Sequence, residues 1–317
     1  MLFLGLGFFQ SPLLANTKNG VESGEDILLN ITTVSKNQYY MVKSIVLDKH
    51  NVEYLSDDES EIYEFKYNED IINNISERDL FIYYGLNNEP WINVFIGKLK
   101  KGDLGIINMS RGIKALTYER NNEINENPYY WLGVNEYKIA LYNIKSAIQE
   151  KDPKNKNYYE ENYINNINEV ENLVKDINTE LEKLKDYTIL TNTNTFDYLL
   201  KGLGLQRVIV KEEITNGLLK EKNLDEDKVI FLKEKTPIDT NKILAAKKDI
   251  EKLEEVKKID DEDIEDIEGL YKDSELKKIV EIKEVELTRW DEEKTLIELA
   301  SLNIKLLVDT LKNSQQR

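Results

Sequence analysis

The sequence predicts an α/β fold of two lobes with largely parallel sheets, joined by a single long spine helix. Three observations carry this. Short β-rich runs alternate with helical patterns on both sides of the chain's middle. One stripe of apolar residues, spaced in steps of four and three, runs through the middle itself. A length of 317 residues suffices for two separate hydrophobic cores.

Met1 to Ala15 is an apolar run of signal-peptide length, too short to span a membrane, and Asn16 to Asp26 is a polar, glycine-containing stretch. Residues 1–26 therefore read as an export-signal remnant and lead-in, with a buried first strand as the alternative. The first lobe is expected over 27–151. Ile27 to Val34 reads as a buried strand, followed by a helix through Tyr40, Val42 and Ile45. Strand Asn51 to Leu55 and the polar loop Ser56 to Glu61 come next. Ile71, Ile72 and Ile75 mark a second helix, and Asp79 to Tyr84 and Gly105 to Met109 read as strands.

The spine is expected over 152–186. Asp152 suits an N-cap and Pro153 the first helical position. Tyr163, Ile167, Val170, Val174, Ile177, Leu181 and Leu184 then form one stripe. Roughly 30 residues would span about 45–50 Å. A coiled-coil dimer is the alternative, disfavoured by the α/β pattern on both sides. The second lobe is expected over 187–317, with strands at Thr188–Leu190, Arg207–Val210, Lys228–Leu232 and Val280–Leu287. Lys247 to Asp273 reads as a charged surface helix and acidic loop; Asp260 to Glu268 lacks the glycine-centred spacing of a calcium loop. A C-terminal helix follows over Glu292–Leu311, its stripe being Ile297, Leu299, Leu302, Leu306 and Leu311. No repeat of solenoid period is present.

Apolar residues make up 40% and charged residues 32%, as in a soluble globular protein. The net charge of −17 argues against nucleic acid and anionic membrane surfaces as partners. With no cysteine there is no disulfide, thiolate metal site or lipid-bearing cysteine, and a single histidine, His50, rules out a multi-imidazole zinc site. His50 reads as a surface or capping residue. Sixty acidic residues make any carboxylate pair uninformative about acid–base catalysis, and Gly202-Leu203-Gly204 reads as a helix-end turn and not a phosphate loop. The chain is not expected to be an enzyme.

Three fragments carry a family resemblance: Asp79-Leu-Phe-Ile-Tyr-Tyr-Gly-Leu-Asn-Asn-Glu-Pro-Trp91, Asn127-Pro-Tyr-Tyr-Trp-Leu132, and Asp152-Pro153 followed by Tyr158-Tyr159-Glu160 and Asn162. Together they resemble the zinc- and manganese-type substrate-binding proteins of ABC transporters, from about Ile27 onward and more weakly after Val210. The resemblance implies capture of a metal ion or other small solute in an inter-lobe cleft, delivery to an ABC permease in the membrane, an extracytoplasmic location and a monomer. It implies acidic lobe surfaces that dock the permease, and small tilting of the lobes about a stiff spine.

It also implies a metal site whose usual histidines are replaced here. The family's ligand positions fall at Glu61, Tyr129 and Thr193, with Asn194 beside it, and at a fourth place for which Asp291, Glu286 and Thr288 are candidates. Three readings follow. An oxygen set of Glu61, Tyr129 and Asp291 would suit Mn²⁺, Ca²⁺, Mg²⁺ or Fe³⁺ better than Zn²⁺. Tyr129, Tyr130, Thr193 and Asn194 would instead hydrogen-bond another solute. Alternatively the site is dead, and the chain is a surface adhesin or interaction module. Against each ligand stands a plainer role: Glu61 as a solvated carboxylate, Tyr129 as a packed aromatic, Thr193 as turn chemistry.

Overall fold

The computed structural model describes residues 27–59, 61–100, 102–120, 122–211, 214–235, 282–289 and 294–312. The readings of 1–26 and 247–273, and the candidate Asp291, lie outside the described residues.

Strands β1 (Asn30–Ser35), β2 (Asn51–Ser56), β3 (Leu80–Tyr83) and β4 (Gly105–Asn108) form the first sheet in the order β2-β1-β3-β4. Every pairing is parallel, with Asn30 opposite Asn51 and Ile31 opposite Leu80. β1 is central, so Ile31 to Ser35 are buried; Thr33 Oγ1 donates to the Ser35 carbonyl (2.8 Å), whereas the Thr32 hydroxyl finds no partner among the described residues. Helices α1 (Lys36–Val46), α2 (Glu69–Ser76) and α3 (Ile92–Lys98) make the connections. Ser35 caps α1 through a complete capping box with Gln38. An antiparallel hairpin, β5 (Thr117–Arg120) and β6 (Glu123–Glu126), and helix α4 (Val134–Lys151) complete the first lobe.

The second sheet contains β7 (Thr188–Thr191), β8 (Gln206–Ile209), β9 (Val229–Glu234) and β10 (Lys283–Leu287) in the order β10-β9-β7-β8, again all parallel. Helices α7 (Asp197–Gly202), α8 (Asn216–Glu221) and α9 (Leu296–Lys312) belong to it. In chain order both sheets therefore run second strand, first, third, fourth. Gly204 (φ +70°) ends α7: Leu205 N–H bonds the Leu200 carbonyl, as expected of a helix-end turn.

The spine departs from the expected single helix. It is two helices, α5 (Lys156–Asp176) and α6 (Asn178–Leu184), after a single 3₁₀ turn at Pro153–Asn155. The break falls at Ile177 (ψ 5°), a β-branched residue followed by Asn178 and Thr179, all poor helix formers. Even so, the stripe from Tyr163 to Leu184 faces inward across the break, against α1, α4 and α9. Asp152 stands at the N-cap of the 3₁₀ turn with Pro153 just inside it, as expected, but its side chain makes no capping bond, and His50 is not on the surface. Both are buried, joined through Tyr159: Leu29 N–H donates to His50 Nδ1 (3.3 Å), His50 Nε2 lies 2.6 Å from Tyr159 Oη, and Tyr159 Oη donates to Asp152. With Nδ1 accepting, the neutral ring carries its proton on Nε2, and burial lowers its pKa in keeping. One polar relay thus ties the start of β1, the end of α1 and the root of the spine.

The C-terminal helix is also rotated from the expected stripe. Leu296, Leu299, Ile304, Leu307 and Val308 are buried, whereas Leu306 is exposed. Asn303 takes the inward place, accepting from Thr288 N–H (3.0 Å) and donating to its carbonyl (2.7 Å). Buried residues of both sheets and of the spine join one continuous core.

Tyr159→Phe strands the buried His50 N–H and leaves Asp152 Oδ2 with Asn155 Nδ2 as its hydrogen-bond donor, without changing shape. A loss of about 1–3 kcal/mol in urea unfolding is expected, with the far-ultraviolet spectrum unchanged; wild-type stability would show that the relay does not hold the spine.

Candidate functional site: the inter-lobe cleft

Because all strands of each sheet are parallel, the loops that follow them leave from one edge. In both lobes the first and third strands are neighbours whose connections diverge, which opens a crevice at their carboxyl ends. The two crevices contribute to one cleft of ≈ 640 Å³. The first lobe lines it with Glu59, Tyr63, Asn87, Asn88, Tyr129 and Trp131, and the second with Arg289. Trp131 stacks on Tyr84 (4.1 Å), and its buried indole N–H has no acceptor among the described residues.

Tyr129 lines the cleft. Its hydroxyl accepts from Arg289 Nη1 (2.9 Å), and burial raises the phenol above its ordinary pKa, so it stays protonated, a poor state for a metal ligand. Thr193 lies nearby on the second lobe and makes turn bonds: Thr195 N–H donates to its hydroxyl (3.1 Å). Glu61 is set apart. It is exposed, leads into a 3₁₀ turn and does not line the cleft, because the turn carries it past the mouth. Glu59, two residues earlier, faces in and accepts from Tyr84 Oη (2.8 Å). Glu286 is an exposed strand residue, Thr288 is held by Asn303, and Tyr130 is fully buried with its hydroxyl on the Tyr84 carbonyl (2.8 Å). Asn194 gives its carbonyl to Asn127 Nδ2 (2.7 Å), a direct bond between the lobes.

Two residues at the centre were not anticipated. Glu234 is the last residue of β9, and Arg289 follows the end of β10 by two. Arg289 Nε lies 3.3 Å from Glu234 Oε1. Glu234 Oε2 accepts from Thr195 Oγ1 (2.7 Å) and Thr193 Oγ1 (3.3 Å). The available signal was positional: both sit where a parallel strand ends. Among the described residues no three His, Cys, Asp or Glu side chains converge as a metal site. Among the described residues the donors do not fit a zinc ion, because no imidazole faces the cleft, nor a harder ion such as manganese, because the Glu234 and Tyr129 oxygens already serve a guanidinium.

The turn after β3 explains the first resembling fragment. Gly85 (φ +80°), Leu86 (φ +49°) and Asn87 (φ +58°) are consecutive left-handed residues, and a Cβ on Gly85 would collide with Asn108 Oδ1 and Ser110 Oγ. The buried Glu89 carboxyl holds the turn, accepting from Tyr84 N–H (2.7 Å) and Gly85 N–H (3.0 Å). Burial outweighs these donors and pushes Glu89 up to about 8.

The family model described as zinc-uptake complex component A, periplasmic, matches residues 31–236. The high-affinity zinc uptake system protein ZnuA of Bacillus subtilis is 28% identical over 207 residues, covering 61% of this chain and 64% of that protein. The match thus spans just under two thirds of that relative. The manganese ABC transporter substrate-binding lipoprotein PsaA of Streptococcus pneumoniae is 26% identical over 220 residues, covering 67% of this chain and 70% of its own. The solved metal-dependent lipoprotein YcdH of Bacillus subtilis superposes with TM-score 0.64 at 22% identity, covering 89% and 98% of the two chains. A laminin-binding adhesin, Lmb, of Streptococcus agalactiae gives 0.62 at 18% identity, covering 89% and 99%. At these identities the two structures establish the two-lobed fold.

The Glu89 pKa fixes a pH dependence. The folded chain keeps a proton that the unfolded chain releases between about pH 4.5 and 8, so stability is highest at the acidic end and falls as pH rises to 8. The slope this group adds is at most about 1.4 kcal/mol per pH unit. Glu89→Gln is expected to be less stable at pH 5 but to lose less on going to pH 8; parallel wild-type and variant curves would contradict the assignment.

Proposed function

The chain belongs to the family of zinc-uptake complex component A proteins, and from that premise we propose that it is the extracytoplasmic solute-binding component of an ABC importer. It captures a metal ion or other small solute in the inter-lobe cleft and hands it to a membrane permease. The observation that supports this most is the convergence of carboxyl-end loops from two sheets of like strand order on one cleft. Tyr129, Trp131, Asn87 and Asn88 offer it aromatic faces, amides and a hydroxyl, and no step of chemistry is asked of them. Family members are transport binding proteins and not enzymes. No described helix is long and apolar enough to cross a membrane.

The division into lobes at 27–151 and 187–317 with a spine between them belongs to the same reading. Tyr198 on α7 reaches across that division: its hydroxyl accepts from Leu116 N–H (2.8 Å) and donates to the Asn127 carbonyl (3.1 Å). With such contacts the lobes tilt slightly and do not swing wide.

Native mass spectrometry of the chain purified without denaturation from the cell envelope is expected to show one small adduct per chain, lost in Tyr129→Ala. A bare chain, together with unchanged solute uptake in a strain lacking the gene, would sink the transport reading and favour the surface-adhesin one.

A further inference from the structure

We propose that the Arg289 guanidinium is a built-in cation standing where the family's cargo metal would sit, so that this cleft turns metal ions away. The inference rests on the reading of the cleft as the cargo site and narrows what that cargo is.

The geometry has three parts. First, Arg289 gathers oxygens from both lobes. Its Nη1 donates to Tyr129 Oη (2.9 Å) on the first lobe, its Nε lies 3.3 Å from Glu234 Oε1 on the second, and the guanidinium lies over the Tyr129 ring (5.4 Å). Its charge also reaches Glu59 across the cleft. Carboxylate and hydroxyl oxygens are the donors a hard cation takes. Here a guanidinium takes them, with planar donors that suit carboxylate geometry.

Second, the Glu234 carboxylate is fixed for this partner. Thr195 Oγ1 (2.7 Å) and Thr193 Oγ1 (3.3 Å) donate to its Oε2, leaving Oε1 to Arg289. Third, the loop carrying Arg289 is anchored. The neighbouring Thr288 is held through both its N–H and its carbonyl by the buried Asn303 side chain of α9. Arg289 is therefore not a mobile surface arginine that happens to fall into a gap. An incoming divalent ion would meet a fixed positive charge at contact distance, and displacing it would strand Glu234 and Tyr129 at once.

The test compares the chelator-treated full chain with Arg289→Met and with Arg289→Gln, which keeps a donor for Tyr129 and so much of the lobe contact. Each is titrated with Zn²⁺, Mn²⁺ and Ca²⁺ by calorimetry and followed by thermal unfolding. Wild type is expected to bind none of them and to keep its melting temperature. Removing the guanidinium frees Glu234 Oε1 and Tyr129 Oη, with the Glu59 carboxylate across the cleft, so at least one variant should gain a site for Mn²⁺ or Ca²⁺. At a saturating ion concentration that should raise its melting temperature by about 3 °C or more, an effect abolished by adding Glu234→Gln. A wild-type chain that binds one Zn²⁺ or Mn²⁺ overturns the inference while leaving the transport reading intact. Folded variants that bind no ion overturn it as well, because Arg289 would then not be what fills the cation's place. Failure of the transport reading registers separately, as a chain without adduct and uptake indifferent to the gene.

Discussion

Parallel pairing is the constraint from which the rest of this molecule follows. A parallel strand must be returned by a crossover, so each sheet has an edge where strands end and an edge where they begin. The ending edges bring to the cleft Glu59 after β2, the left-handed turn after β3, Thr193 and Thr195 after β7, Glu234 at the end of β9 and Arg289 after β10, and the β5–β6 hairpin with Tyr129 and Trp131 after it closes the remaining side. The repeated strand order puts a crevice at the same place in both lobes. The spine, Asn127 and Tyr198 then keep the two crevices face to face. Nothing about the cargo is needed to produce a cleft there; the topology produces it, and the side chains decide what it accepts.

The loops at this edge are irregular, and buried polar groups fix them. Glu89 holds three consecutive left-handed residues, Asn303 holds Thr288, and the His50–Tyr159–Asp152 relay roots the spine beneath the first sheet. Such groups add little net stability, since each surrenders its hydration on burial. What they supply is a single geometry, because each has one arrangement that satisfies it and costly alternatives. The motif Gly85-Leu86…Glu89-Pro90-Trp91 is legible in those terms: Gly85 avoids a collision, Glu89 receives the freed N–H groups, and Trp91 Nε1 donates to the Ile62 carbonyl (2.8 Å).

Most of the framework was legible because it is written in periodicity. The continuous apolar runs gave the strands, and the stripe from Tyr163 to Leu184 gave the spine's buried face, since both depend only on which residues must leave water. The break at Ile177 was not, because the stripe continues in phase across it. The burial of His50 was not legible for a related reason: surface exposure is the usual fate of a polar residue, and only the fold brings Tyr159 to both His50 and Asp152. Of the residues the sequence singles out, Tyr129 lines the cleft, and Glu59 lines it where Glu61 does not. Two neighbouring acids in one loop differ only in which way the turn faces, and periodicity carries no information about that. Arg289 was passed over because a search for metal ligands looks for oxygen and nitrogen donors with lone pairs, and a guanidinium has none to give.

A metal ion and a guanidinium make similar demands on their surroundings: oxygens of negative or partly negative character, gathered from several loops. They differ in one respect that matters for transport. A metal ion is free to leave, so its binding can open and close a cleft and its departure delivers cargo. A tethered cation contributes the same attraction without the loss of translational freedom on association, and it cannot depart. Its effect is therefore on the protein and not on the cargo, since it holds Tyr129 of one lobe against Glu234 of the other at all times. The space left beside Arg289 is bounded by aromatic rings and amides, and it is large for a bare ion. That environment is suited to a solute with a polar surface of its own, which would meet the aromatic faces by contact area and the amides by hydrogen bonds. The two-lobed frame supplies the cleft, and Arg289, two residues after β10, supplies the positive charge that Tyr129 and Glu234 share.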